Sequence, residues 1–98
     1  MPAVHRLGDE CTGHDCWPSR PNIQGSPNVF VNLIPVHRET DDWATHCCPP
    51  CHAGNLAHGS RTVFANKLEL ARIGDPVDCG SFCMEGSINV FAGPGWQH

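Results

Sequence analysis

The chain has 98 residues, of which 16% are charged and 7% aromatic, with ten Gly, nine Pro, seven Cys and seven His. That length accommodates one domain, and the Gly and Pro content argues against long helices over most of it. A formal charge of −4 with scattered Lys and Arg excludes the basic stripe that is typical of nucleic-acid binding. So small a domain usually needs a disulfide, a metal or a partner chain for stability.

The first residues of the chain and the length of its apolar runs indicate the redox environment in which the cysteines are made. The first residues, MPAVHRLGDEC, lack the basic start and apolar stretch of a secretory signal, and no apolar run is long enough to span a membrane. We therefore expect synthesis in a reducing cytoplasm. There, seven cysteines, an odd number, favour metal ligation over a disulfide framework.

One eight-residue pattern occurs three times along the chain. The copies are GSPNVFVN at 25–32, GSRTVFAN at 59–66 and GSINVFAG at 86–93. The first two copies continue in step to Asp41 and Asp75, whereas the matching continuation of the third, VHRLGD, stands at 4–9. The chain therefore holds three equivalent units, one of them divided between the termini. They are 25–41, 59–75, and 86–93 together with 4–9.

Each unit is predicted to be a β-hairpin. A Val-Phe-Val or Val-Phe-Ala run follows Gly-Ser, and an Asn-containing turn leads to a return strand that ends in Arg. We expect strands of about four to six residues, which are too short to be stable without a shared core. The divided unit implies that the first strand pairs with the last, which closes the hairpins into a ring. The prediction is an all-β single domain over 1–98 with pseudo-threefold symmetry.

Three long connections rich in Pro, Cys and His join the units, at 10–24, 42–58 and 76–85. A metal-binding side chain follows the last Asp of each unit by four or five residues, namely His14, His46 and Cys79. Threefold symmetry should bring these side chains together near the axis. A tetrahedral Zn²⁺ or Fe²⁺ needs a fourth ligand that the symmetry does not supply. We predict His52, in the longest connection, as that ligand, which gives a closed, structural site of three His and one Cys.

A second group of metal-binding residues leaves an alternative open. Cys47, Cys48 and Cys51 form a CC-x-x-C cluster that can bind a metal alone, with His52 or His46. A lone CxxC without a second one elsewhere is a weak zinc-ribbon signal. If they do not bind the metal, these three cysteines have no assigned role.

Several remaining residues are expected to be structural. The pairs Cys11–Cys16 and Cys79–Cys83 can cross-link on oxidation, although free buried thiols are the preferred interpretation.

Two histidines that share a repeat column are expected to pack inside strands, and His58 to lie in a solvated turn. The repeated Arg and Asp columns are expected to form weak ion pairs between units. The three tryptophans are expected to cover the core rather than to stack on a ligand. The packed histidines are His5 and His37, and the tryptophans are Trp17, Trp43 and Trp96.

The three repeats closely resemble the PAAR (proline-alanine-alanine-arginine) repeat proteins over 4–93. In that motif the return strand reads Pro-Ala-Ala-Arg followed by Gly-Asp, and the matching segments here are PVHR at 35–38 and ELARIGD at 69–75. Two departures are local. Glu-Thr at 39–40 replaces a hydrophobic residue and Gly, and the turns read NLI and NKL where Asn-Gly-Lys is typical.

The resemblance implies a small cone of three β-hairpin repeats with a metal near its apex, usually zinc. By position its ligands are His14, His46, His52 and Cys79, which are also the four predicted above from the repeat and the longest connection. The broad base of the cone would sit on the blunt end of a trimeric β-helical spike. Spikes of that kind belong to contractile bacteriophage tails and to type VI secretion systems.

The implied function is that of a metal-stabilised spike tip, not an enzyme. Its partners would be one spike trimer and, during puncture, the outer membrane of the target cell, with neither nucleic acid nor a small-molecule substrate. We expect the chain to be made in the bacterial cytoplasm without a signal peptide. It would then sit at a virion tail tip or be secreted through a contractile apparatus. Because no fused toxin and no export signal are seen, a phage baseplate is favoured over a type VI secretion spike.

Two other classes of function stay open at this point. One is a zinc-ribbon-like binding module built on the CC-x-x-C cluster, against which the acidic balance and the three repeats argue. The other is a zinc hydrolase with an open metal position and Asp15 or Asp42 as the base. A fourth ligand at Cys79 argues against that arrangement, because it closes the site.

Overall fold

The computed structural model describes residues 1–48 and 50–93 and contains only β-structure and turns in those ranges. In this part of the chain, six two-residue strands form three separate antiparallel hairpins, β1–β2, β3–β4 and β5–β6. Among the described residues, no helix is long and apolar enough to cross a membrane. The strands are β1 Phe30–Val31, β2 Ile34–Pro35, β3 His46–Cys47, β4 Cys51–His52, β5 Phe64–Ala65 and β6 Leu68–Glu69.

Two of these hairpins lie in the predicted repeats and have the same turn. Asn32 and Leu33 have φ values of 55° and 65°, and Asn66 and Lys67 have 56° and 68°. Two consecutive left-handed residues form the tight turn that matches the twist of a hairpin. Leu33 and Lys67 therefore occupy the position at which glycine would be least strained.

The third repeat closes the chain as predicted. Ala3 forms an antiparallel bridge with Phe91, the repeat equivalent of the Phe30–Pro35 pair in the first hairpin. The Val4 amide also donates to the Val90 carbonyl at 3.0 Å. The first and last described segments thus form the missing hairpin, and the predicted ring of three units is confirmed.

A triangle of backbone hydrogen bonds lies at the centre of this ring. The His5 amide donates to the Ala71 carbonyl at 3.0 Å, the Ala71 amide to His37 at 3.0 Å, and the His37 amide to His5 at 3.1 Å. All three residues are fully buried. Each return strand leaves its own hairpin after two residues to join this triangle, so the hairpin strands are shorter than the four to six residues expected.

The described residues contain two clusters of buried apolar side chains, the first of which includes Ala71 of the triangle. The cluster on the side of the long connections includes the partly buried Cys79 at its edge. The second cluster lies among the hairpins. The first consists of Cys11, Trp43, Leu56, Ala71, Val77 and Cys83, and the second of Val4, Val36, Ala65, Leu70 and Ala92.

The Arg and Asp columns form ion pairs within units, so the expectation of pairs between units is wrong. The Arg38 guanidinium contacts Asp41 at 2.8 Å, and Arg6–Asp9 and Arg72–Asp75 repeat this pair at 3.1 and 3.0 Å. The reason is local, because a four-residue turn from Arg to Asp also lets each Asp carboxylate accept the backbone amide of its Arg. The link between units runs through Arg38 Nη1, which donates to the turn amide oxygen of Asn66.

The buried histidines His5 and His37 are held neutral. Each Nδ1 donates to a carbonyl of the same repeat column, that of Glu85 for His5 and that of Gln24 for His37. Asn22 Nδ2 donates to His5 Nε2 at 3.0 Å, which leaves no acceptor there for a second proton. Burial lowers the pKa of His5 from 6.5 to about 4, against a partial rise from the Glu85 carbonyl and nearby carboxylates. Burial and the His5 charge lower the pKa of His37 to about 3.

We expect the fold to lose stability in acid because of these two histidines. Their folded pKa values lie below 6.5, so the unfolded chain binds more protons between pH 6.5 and the folded values. The free energy of unfolding should be constant above pH 6.5 with respect to these groups and fall below it, by about 1.4 kcal/mol per pH unit for each group. Urea unfolding between pH 7 and pH 4 measures this slope.

The control is His37→Ala, which copies the second unit, where Ala71 occupies that column. This variant should have a shallower pH slope whatever its absolute stability, since the substitution removes one buried neutral histidine and leaves the other side chains unchanged. An unchanged slope would contradict the assignment to His37.

The Leu33 turn gives a second prediction. Leu33 is 95% exposed and sits at φ 65°, so its side chain contributes little packing while its backbone is strained. Leu33→Gly should raise the free energy of unfolding by about 0.5–1 kcal/mol. Leu33→Ala, which keeps the strain, should give no gain. A lower urea midpoint for the glycine variant would contradict this account of the turn.

Candidate metal centre

A tight turn in the first connection presents His14. The backbones of His14 and Trp17 exchange two hydrogen bonds of 3.0 and 2.7 Å, and Asp15 between them is left-handed with φ 49°. Gly13 approaches this turn so closely that a Cβ there would meet the Trp17 carbonyl oxygen at 2.6 Å. The turn fixes the direction in which the His14 ring leaves the backbone.

The second connection contains a hairpin that the sequence analysis did not predict. Strands β3 and β4 pair with His46 opposite His52 and Cys47 opposite Cys51. Residues directly opposite in an antiparallel pair project from the same face of the sheet. The extra length of this connection therefore delivers two of the expected ligands side by side.

A turn in the third connection presents Cys79. The Gly80 amide donates to the Val77 carbonyl at 3.1 Å, and Gly80 has φ 109°, a conformation open to glycine. A Cβ on Gly80 would lie 3.2 Å from His14 Nδ1, so this glycine also lets the first and third connections approach each other.

The structure brings together all four residues predicted from the sequence. One ligand atom from each of His14, His46, His52 and Cys79 lies within 4.8 Å of the others. The Nε2 atoms of His14 and His52 are 3.0 Å apart, and Cys79 Sγ is 4.0 Å from His46 Nε2. Ligand atoms of a tetrahedral zinc ion lie about 3.3–3.8 Å from one another. The four side chains therefore form a cluster that could bind a metal.

The surroundings of the cluster suit a metal. His46 is buried, and its Nδ1 donates to the Pro18 carbonyl at 2.8 Å, which leaves Nε2 free to act as a ligand. Partial burial, together with the neighbouring His46 and His14, lowers the pKa of His52. A lower pKa keeps the ring neutral, as a ligand must be. Three imidazole nitrogens and one sulfur are a donor set that Zn²⁺ accepts.

Trp17 is part of this site, contrary to the expectation that it covers the core. Its indole stacks on His52 with the ring centroids 4.6 Å apart and on His14 at 5.0 Å. Trp43 does lie in the core, where it is 3% exposed, and Trp96 lies outside the described residues. Sequence spacing did identify Trp17 as lying outside the hairpin repeat, but it contained no signal for this stacking.

The cysteine predictions need correction. The structure has two disulfides, Cys16–Cys48 and Cys47–Cys51, and the CC-x-x-C cluster is therefore not a set of free thiolate ligands. The preference for metal ligation over disulfides is wrong for these four cysteines, because the hairpin and the neighbouring connection bring them into contact. The alternative pairs do not form either, since Cys11, Cys79 and Cys83 are free. Burial, followed by nearby Asp75, raises the pKa of the Cys83 thiol well above its usual value.

The geometry gives little support to a zinc hydrolase with Asp15 or Asp42 as the base. Asp15 Oδ2 is 4.0 Å from His14 Nδ1 and its side chain is 83% exposed, so it does not face an open metal position. Asp42 is hydrogen-bonded to Asn55. A second group that could hold a metal ion consists of Glu39, His58 and Glu69, of which His58 is exposed as expected.

The comparisons with known proteins agree with this architecture. The family model described as PAAR motif matches residues 12–85. The chain is also 36% identical over 78 residues to the NAD(P)(+) glycohydrolase toxin Tse6 of Pseudomonas aeruginosa. The same identity and length apply to the (p)ppApp synthetase toxin Tas1 of Pseudomonas aeruginosa strain UCBPP-PA14. Each match covers 72% of this chain and 18% of the toxin, so the chain spans about a fifth of these relatives. The chain therefore belongs to the PAAR-motif family.

Proposed function

We propose that this chain is the metal-stabilised tip of the central spike of a contractile injection machine. The observation that carries the proposal is the closed ring of three units whose connections meet at one cluster of metal-binding residues. Membership of the PAAR-motif family supports a spike-tip role. The domain that performs it is the single unit 1–98, with repeats at 25–41, 59–75, and 86–93 together with 4–9.

The metal that fits the cluster best is Zn²⁺, with Fe²⁺ as the alternative. His14, His46, His52 and Cys79 would hold it, one or two from each connection. A bound zinc ion supplies a rigid cross-link and, with four protein ligands, no open position for catalysis. The role proposed for it is structural, because it would join three loops that have little regular structure of their own.

The partner proposed is a trimeric β-helical spike, with one tip on each trimer. The surface that suits it is the hairpin end, defined here by the turns after β1 and β5 and by residues 91–93. Three equivalent aromatic rings surround this end and are exposed to nearly the same extent: Phe30 by 53%, Phe64 by 54% and Phe91 by 54%. A pseudo-threefold apolar surface can contact three identical chains in the same way.

The machine to which the tip belongs is a separate question. The sequence favoured a bacteriophage tail baseplate, and this stays a prediction. The two relatives are bacterial toxins, which supports the alternative of a type VI secretion spike. The toxins' enzymatic activities are not proposed for this chain, because it matches less than a fifth of each toxin.

Loss of a ligand should remove the metal. Cys79→Ser and His52→Ala should each lower zinc affinity by more than about 100-fold, because each removes a protein–metal bond from a four-ligand site. Competition with a chromophoric chelator measures the affinity, and elemental analysis measures zinc per chain. The matched control is His58→Ala, which removes an exposed histidine of the separate Glu39, His58 and Glu69 group and should keep one zinc per chain if the four-residue cluster holds the metal. If both ligand variants kept their zinc and a Cys47→Ser, Cys48→Ser, Cys51→Ser triple variant lost it, the site assignment would be wrong.

The hairpin end should mediate assembly with a spike. Mixed with a purified trimeric β-helical spike protein from the same genome, the chain should sediment as a complex of one tip and three spike chains. Replacing Phe30, Phe64 and Phe91 with Ser should abolish the complex while zinc content stays at one per chain. Phe82→Ser, which changes a 46% exposed ring in the third connection, is the control and should assemble normally. A tip that stays monomeric in the presence of the trimer contradicts the proposed function.

A further inference from the structure

The disulfides and the candidate ligands occupy the same end of the molecule. Cys16 and Cys48 each stand two residues after a ligand, His14 and His46 respectively. Their disulfide joins the first connection to the second across 32 residues of sequence, with the two Cα atoms 5.7 Å apart. It therefore covalently links the loops that carry these two histidines.

The second disulfide closes the hairpin that carries His46 and His52. Cys47 and Cys51 face each other in the pair next to His46 and His52, and their Cα atoms are 4.0 Å apart. Because the two pairs are consecutive in one two-stranded ladder, this cross-link restrains the separation of the two histidine backbones. Three of the four ligands are thus braced by covalent bonds that do not involve a metal.

We propose that the apex has two interchangeable staples, a metal and a pair of disulfides, so that its dependence on metal is set by the redox state of Cys16, Cys47, Cys48 and Cys51. With these thiols reduced, the metal adds the strong link between the first two connections, which otherwise meet through hydrogen bonds such as that of His46 Nδ1 to the Pro18 carbonyl. With the disulfides formed, the three histidines stay in place when the metal is absent. The proposal rests on the metal site proposed above.

The oxidation is a thiol–disulfide exchange. Cys16, Cys47 and Cys51 are exposed, so a small-molecule disulfide such as oxidised glutathione can reach at least one sulfur of each pair. The cysteine thiolate attacks the oxidant and releases one glutathione thiol, and the partner cysteine then displaces the second glutathione. Each protein disulfide therefore consumes one oxidised glutathione and yields two reduced ones. Excess reduced thiol reverses the reaction, which suits a chain that passes from a reducing to an oxidising compartment.

The third connection differs from the other two in its response to oxidation. Its ligand, Cys79, is a free thiol at the cluster, and neither disulfide reaches residues 76–85. The other free thiols, Cys11 and Cys83, are each 2% exposed. In the oxidised, metal-free protein, Cys79 is therefore the thiol that should become reactive. Its alkylation reports the state of the metal site independently of the disulfides.

The experiment compares four samples of the full chain: oxidised or reduced, each with zinc or with EDTA. Hydrogen exchange of the β3–β4 amides is the readout, and β5–β6 amides serve as the internal reference. In the reduced EDTA sample, the protection of the β3–β4 amides should be at least tenfold lower than in the reduced zinc sample. The other three samples should agree with one another within about twofold. In the oxidised chain, EDTA should make Cys79, and no other cysteine, react with iodoacetamide.

A variant separates the disulfides from other effects of the reductant. The quadruple Ser variant of Cys16, Cys47, Cys48 and Cys51 should bind one zinc and behave as the reduced chain with or without oxidant. Equal loss of protection in the oxidised and reduced EDTA samples overturns the proposal, as does binding of a second zinc ion by the reduced thiols. Failure of the metal site itself has a different signature, because zinc and EDTA would then give the same result in the reduced chain.

Discussion

The structure depends on the triangle of backbone hydrogen bonds between His5, His37 and Ala71. A two-residue hairpin cannot be stable alone, and this triangle gives each return strand a partner in the next unit. Since the triangle sits on the pseudo-threefold axis, it directs the three hairpins to one end and the three long connections to the other. The site and the proposed docking surface are therefore consequences of one closure of the chain.

The closed ring buries polar side chains at its centre, and the three units do not place the same residue there. Two units place a histidine in the central column and satisfy its Nδ1 with a carbonyl of the same repeat column, whereas the other unit places Ala71 there. The smaller residue leaves room for Trp43, whose ring lies 4.2 Å from His37 and 5.4 Å from His5. The backbone thus follows the threefold symmetry, whereas the side chains at equivalent positions differ between units. A single chain permits such differences, but a trimer of identical chains does not.

The repeat explains why so much could be predicted. Three in-phase copies determined the hairpins, the closure through Ala3 and Phe91, and the spacing of three of the four ligands, because each is a property of equivalent positions. The β3–β4 hairpin, the two disulfides and the stacking of Trp17 have no counterpart in the other units. Repeat alignment contains no information on such insertions, and the cysteine pairing depends on a turn that only the fold reveals.

The central claim is that the ring brings three imidazoles and one thiolate, from three connections, to a single metal ion. X-ray absorption at the zinc edge of the zinc-loaded chain tests this claim most directly. The account predicts a first shell of about three nitrogens near 2.0 Å and one sulfur near 2.3 Å. A shell with no sulfur, or with two or more, would contradict the ligand set of His14, His46, His52 and Cys79.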